Sequence, residues 1–129
     1  MYYDFNGVIM SYVYIGLTIL FTVYGQIVIK WQASLAGPLP ESLSDKLIFL
    51  VHLVLNPWVL SGLAAAFLAS LAWMAAMTRL PLSHAYPFMS LAFVIVLFLS
   101  ALFFHEPLTW QKFAGMALIV GGIVVGSQG

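Results

Sequence analysis

The sequence has 129 residues, of which 64% are hydrophobic and only 6% charged, with a formal net charge of zero and a mean hydropathy of +1.08. A water-soluble domain carries about 25% charged residues, so this chain cannot clothe a water-facing surface and a bilayer is implied. The neutral balance argues against nucleic acid as a partner, and the lack of cysteine excludes thiol chemistry and leaves the redox compartment unread.

The charged residues Asp4, Lys30, Glu41, Asp45, Lys46, Arg79, Glu106 and Lys112 cut the chain into uncharged stretches at 5–29, 47–78, 80–105 and 113–129. About 20 apolar residues, rising ~1.5 Å each, span the hydrocarbon, and each stretch holds one such run. The reading is an all-α membrane protein, a single domain over 1–129, with transmembrane helices at about 8–35, 57–78, 82–104 and 109–126. The first run has no basic residue before it, is too long for a signal peptide and is followed by further spans. It is expected to stay in the mature protein.

In the first predicted helix Thr18, Thr22 and Gln26 fall four apart and lead to Lys30. Residues at that spacing share a face, and a polar face inside a membrane helix should look at protein or a watered path rather than lipid. Interhelical hydrogen bonding with a snorkelling lysine is one reading; a functional path is the other. Gly37-Pro38-Leu39-Pro40 ends the helix. Ser44 or Asp45 then offers an N-cap to a run too short to span, which is expected to form a short interfacial helix near 45–55 with His52 at the surface.

The second span opens on Pro57-Trp58, a proline suited to a first turn and a tryptophan suited to the interface. Gly62, Ala66 and Ser70 repeat every four residues, as do Ala65 and Ala69, a pattern that lets membrane helices approach closely. The third span opens on the polar cluster Ser83-His84-Ala85-Tyr86-Pro87 and closes on His105-Glu106-Pro107, with Tyr86 and Ser90 on one face. In the fourth, Gly122 and Gly126 form a GxxxG spacing, and Ala117 with Gly121 adds a second small pair. Both favour a tight helix contact, and a contact between subunits is the expectation for Gly122 and Gly126. Lys30, Lys46 and Lys112 stand on one side of the membrane against Arg79 on the other, which orients the loops after the first and third spans toward the cytoplasm.

The stretches LPLSHAYPFMSLAFV and FFHEPLTWQKFAGMALIVGGIVV, with YGQIVIKWQA in the first helix, resemble the small four-helix members of the drug/metabolite transporter superfamily, EamA-like and small multidrug resistance-like. They are most similar to subunits of the bacterial flippase for undecaprenyl-phosphate-aminoarabinose. The resemblance covers about residues 12–34 and 57–126 and implies inner-membrane lipid transport in lipopolysaccharide modification. Small multidrug exporters carry a glutamate where this sequence has Thr22. That departure argues against the usual proton-for-cation exchange, which needs a membrane carboxylate.

Four helices are too few to enclose a path for a large solute, so a dimer is expected, of two copies or with a homologous subunit. Such a dimer would leave a polyprenyl tail in lipid while the head group crosses. Lys30 is the candidate phosphate ligand, and Gln26, Thr22, Tyr86 and Ser90 are candidate sugar-binding residues. Glu106 and His105 either pair a sugar amine or cap the fourth helix, since a carboxylate suits a helix N-terminus. The residues show no metal-site spacing and no nucleophile–base pair, so neither a cofactor nor an enzyme is expected. An exporter of small amphipathic molecules and a scaffold for a glycosyltransferase remain as alternatives.

Overall fold

The computed structural model describes residues 5–129; Asp4 lies outside them. The regular elements among the described residues are all helical. They are α1 (Phe5–Ala36), α2 (Leu43–Leu55), α3 (Pro57–Met77), a single turn α4 (Leu82–Ala85), a 3₁₀ turn (Tyr86–Ser90), α5 (Leu91–Phe104) and α6 (Trp110–Gly126).

Local chemistry sets the boundaries. Gly37 takes a left-handed φ of 89° directly after α1, a conformation glycine adopts freely, and Pro38 cannot continue the helix. The cap of α2 is Ser42, whose hydroxyl accepts from the Asp45 N–H at 3.2 Å. The expected caps Ser44 and Asp45 instead lie inside the first turn, where the Asp45 carboxylate suits the helix dipole. Asn56 is extended, as a residue before proline prefers, and its side chain accepts from the Trp58 N–H at 2.8 Å to start α3 with Pro57 at N1.

The third apolar stretch is not one uninterrupted α-helix. Pro87 lacks the N–H that an α-helical turn would use, and the chain tightens to 3₁₀ geometry over Tyr86–Ser90 before resuming as α5. His105 then turns left-handed, with φ 54°, at a cost of roughly 1–2 kcal/mol for a residue with a side chain. It ends α5 by donating its N–H to the Ser100 carbonyl. Of the two readings of Glu106 and His105, capping of the last helix by the His105-Glu106-Pro107 turn is corrected: Thr109 is the cap of α6, its hydroxyl accepting from the Lys112 N–H at 3.2 Å. The Lys112 ammonium turns back to the Pro107 carbonyl at 3.0 Å.

The core is the seam between α1 and α3. These helices are antiparallel, because Trp31 meets Trp58, Gly25 meets Gly62 and Thr18 meets Ala69. Val59, Gly62, Ala65, Ala69 and Ala76 are the buried residues of α3, all small or β-branched. On an adjacent face of α1, Ile15, Ile19 and Val23 join Ala76, Ala85 and Ala92 in one cluster. Large side chains such as Leu20, Phe67, Leu102 and Leu118 stand exposed. Small inside and large outside is the arrangement expected when lipid, not water, surrounds the helices.

Among the described residues, three helical stretches are long and apolar enough to cross a membrane: Asn6–Ala36, Pro57–Met77 and Leu82–Phe104. The fourth, Trp110–Gly126, is apolar but shorter, at 17 residues. It buries only Met116 and Ile123.

Candidate functional site

The polar stripe of α1 opens onto a cleft of about 500 Å³ bounded by α1, α3 and the 3₁₀ turn. Thr18, Thr22 and Gln26 line it from α1, and Ala66, Ser70 and Trp73 from α3, with Tyr86 closing one end. The four-residue repeat in α3 therefore has a double effect. Gly62 and Ala69 bring α1 close, while Ala66 and Ser70 are too small to fill the space beside the seam and leave the cleft.

Thr18 is consumed by structure: its hydroxyl donates to the Tyr14 carbonyl at 2.8 Å and approaches the Ala69 carbonyl at 3.4 Å. Thr22 is half-buried and Gln26 exposed along the cleft. Tyr86 stacks edge-on against Trp73, with ring centroids 6.1 Å apart.

Lys30 lies one turn beyond Gln26 on α1. Its ammonium stands 3.7 Å from the Glu106 carboxylate, which comes from the turn between α5 and α6. Lys30 is thus not a lone cation on an otherwise uncharged helix; its counter-ion arrives from the far end of the third span. Both side chains remain about half exposed, at 54% and 40%. A pair that open to solvent is worth about 0–1 kcal/mol, so it ties α1 to the turn only lightly.

Lys30 and Glu106 are not among the residues that line the cleft, and the remaining candidates also fall outside it. Ser90 is half-buried where the 3₁₀ turn meets α5, and His105 is exposed in the turn beside Glu106. Gly122 and Gly126 have nothing within 4 Å of where a Cβ would stand. His52 borders a second recess of about 420 Å³ beside Gln32 and Asn56, whose side-chain amides pair at 3.0 Å.

Two features were not anticipated from the residues alone. Trp31 and Trp58 meet edge-on at 5.3 Å, at the same end of the bundle as Lys30. At the opposite end the Tyr12 hydroxyl and His84 Nε2 are 2.9 Å apart, with Phe88 edge-on to both rings. A tyrosine near the start of α1 and a histidine 72 residues later carry no local spacing signal. The parallel course of α1 and the third stretch brings them together.

A family model described as the EamA-like transporter family matches residues 5–127. Over 123 residues the chain is 34% identical to the probable 4-amino-4-deoxy-L-arabinose-phosphoundecaprenol flippase subunit ArnE of Aeromonas salmonicida, covering 91% of this chain and 97% of that protein. It is 42% identical over 72 residues to the subunit of the same name from Aeromonas hydrophila, covering 55% of this chain and 63% of that one. It is 37% identical over 106 residues to the probable flippase subunit ArnF of Erwinia tasmaniensis, covering 78% and 80%. No solved structure matches the chain. The family match runs from the start of α1 to the end of α6, and with its long apolar helices this multi-pass membrane protein belongs to the EamA-like transporter family.

Proposed function

We propose that the chain is one subunit of a dimeric flippase that moves a polyprenyl-phosphate-linked sugar, such as undecaprenyl-phosphate-aminoarabinose, across the bacterial inner membrane. The observation that carries this reading is the cleft between α1 and α3, largely apolar but carrying the hydroxyl and amide groups of Thr22, Gln26, Ser70 and Tyr86, with Lys30 one turn past its end. The relatives' names supply the substrate class.

In this reading the chain is one domain of four spans. α6 supplies the fourth: 17 residues at ~1.5 Å each give roughly 26 Å, at the short end of what crosses the hydrocarbon. α2, with 13 residues and no buried side chain, lies in the interface beside the Trp31–Trp58 pair. The tail of the substrate stays in lipid, since each buried CH₂ favours hydrocarbon by ~0.8 kcal/mol. The phosphate is the expensive group to carry, and Lys30 meets it. Thr22 and Gln26 offer the sugar hydrogen bonds in the cleft, with Tyr86 and Ser90 toward its other end. The subunit performs no covalent chemistry.

The relatives fall under two subunit names, ArnE and ArnF. This supports a heterodimer with a homologous four-helix partner, seated on the bare glycine face of α6. Export of cationic drugs by proton exchange has less support: Thr22 occupies the position of the exporters' glutamate, and Glu106 is engaged by Lys30.

The test is flipping of labelled undecaprenyl-phosphate-aminoarabinose in proteoliposomes containing the chain alone or with a homologous subunit. A charge-assisted contact is worth ~1.5–3 kcal/mol, so Lys30→Gln should slow flipping roughly 10- to 150-fold. Lys30→Arg keeps the charge in a planar fork and should retain part of the activity. Full activity of the Gln variant would remove the phosphate role and leave Lys30 as an interfacial anchor.

A further inference from the structure

We propose that the Lys30–Glu106 pair is the resting form of a site for a zwitterionic head group, in which a phosphate replaces Glu106 on Lys30 while an ammonium replaces Lys30 on Glu106. The proposal rests on the flippase reading above and adds the basis of its selectivity.

Three observations converge on it. The pair is weakly made: 3.7 Å between charged atoms, with both side chains about half exposed, so partners can be exchanged at little cost. Its two members come from separate elements, α1 and the α5–α6 turn, so they can part without unwinding a helix. The pair also lies one turn beyond Gln26, at the end of the cleft where Gln26 and Ile29 form the wall.

Charge balance then decides which ligand fits. An anionic head group that takes Lys30 would leave the Glu106 carboxylate without its cation and facing a second negative charge. Like charges a few ångströms apart repel even where water screens them. A head group bearing both a phosphate and an amine leaves neither charge unpaired. A 4-amino sugar phosphate carries these groups on one ring, so a single ligand meets both residues once they separate. Glu106 is in this way a specificity-determining residue. It rejects sugar phosphates that lack a free amine.

The experiment compares two lipids in the same proteoliposomes: undecaprenyl-phosphate-aminoarabinose and its N-acetylated form, which lacks the positive charge. Flipping is scored as the fraction of each lipid whose sugar ring is opened by impermeant periodate, calibrated for each lipid against detergent-opened vesicles, because both carry a vicinal diol but the free amine adds a second cleavable bond. The parent protein should flip the amino form at least about 10-fold faster. Glu106→Gln should flip the N-acetyl form as well as or better than the parent and bring the ratio toward one.

A ratio near one in the parent, or the parent's ratio kept by a Glu106→Gln variant that still flips the amino form at the parent's rate, overturns the proposal while leaving the flippase reading intact. If the parent flips neither lipid, the flippase reading fails and the proposal with it. Should Glu106→Gln lose both lipids alike, Glu106→Asp decides: retained preference for the amino form supports the proposal. Equal loss there overturns it, because the carboxylate then serves only to tie α1 to the turn.

Discussion

Gly25 and Gly62 set the separation of α1 and α3, but they are not equivalent. A Cβ on Gly25 would stand 3.0 Å from the Gly62 carbonyl oxygen, a backbone atom that cannot rotate away. A Cβ on Gly62 would meet its nearest neighbour, the Gly25 carbonyl oxygen, at 3.4 Å, an ordinary contact. Alanine gains about 0.5–1 kcal/mol over glycine inside a helix in either place, whereas overpacking a tight contact costs typically 1–3 kcal/mol. Gly62→Ala should therefore be neutral or slightly stabilising, and Gly25→Ala destabilising by up to about 2 kcal/mol. Thermal unfolding of the two variants in detergent checks this, and equal effects would mean that the crossing can widen freely. Spacing in the sequence marked the small residues of α3 as a packing face. It did not rank the two glycines, because that ranking depends on which carbonyl lies across the seam. The Lys30–Glu106 pair was hidden for a similar reason: each residue was legible as a charge at the edge of an apolar run, but their meeting requires two spans to lie parallel.

Among the elements, α1 and α3 were the easiest to place, since long apolar runs bounded by Gly37-Pro38 and Asn56-Pro57 allow few other boundaries. The third stretch was harder. Apolar periodicity runs through Pro87 as if it were absent, and only the missing N–H, felt in three dimensions, converts Tyr86–Ser90 to a 3₁₀ turn. The caps of α2 and α6 were misplaced because Ser42 and Ser44 are both capping residues, and because Glu106 had two partners available, a helix N-terminus and a lysine. α6 remains the element with least support inside the subunit. Its Gly122 and Gly126 are exposed and touch no neighbouring helix, so leucine fits there without disturbing the fold of one chain. Gly122→Leu with Gly126→Leu should abolish the crosslinked dimer in membranes while leaving unfolding of the subunit unchanged. A dimer that persists would place the partner on another face.

At the scale of the whole molecule, most of the described charges and three of the four tryptophans are gathered at one end. Lys30, Glu106 and Lys112 lie there with Trp31, Trp58 and Trp110, and the α1–α3 connection adds Glu41, Asp45 and Lys46. Arg79 and the Tyr12–His84 contact mark the other end. Tryptophans seek the membrane interface and lysines the cytoplasmic side, so the Lys30–Glu106 pair should face the cytoplasm, at the end of the cleft where a newly made lipid-linked sugar would enter. Ser44 and Thr78 are exposed at opposite ends of this arrangement, and the chain has no cysteine of its own to interfere. In intact cells or right-side-out vesicles, an impermeant maleimide should react with Thr78→Cys and reach Ser44→Cys only after the membrane is opened. The reverse pattern would invert the orientation and put the ion pair at the exit. Reaction of both from one side would break the alternation of spans on which the four-helix reading depends.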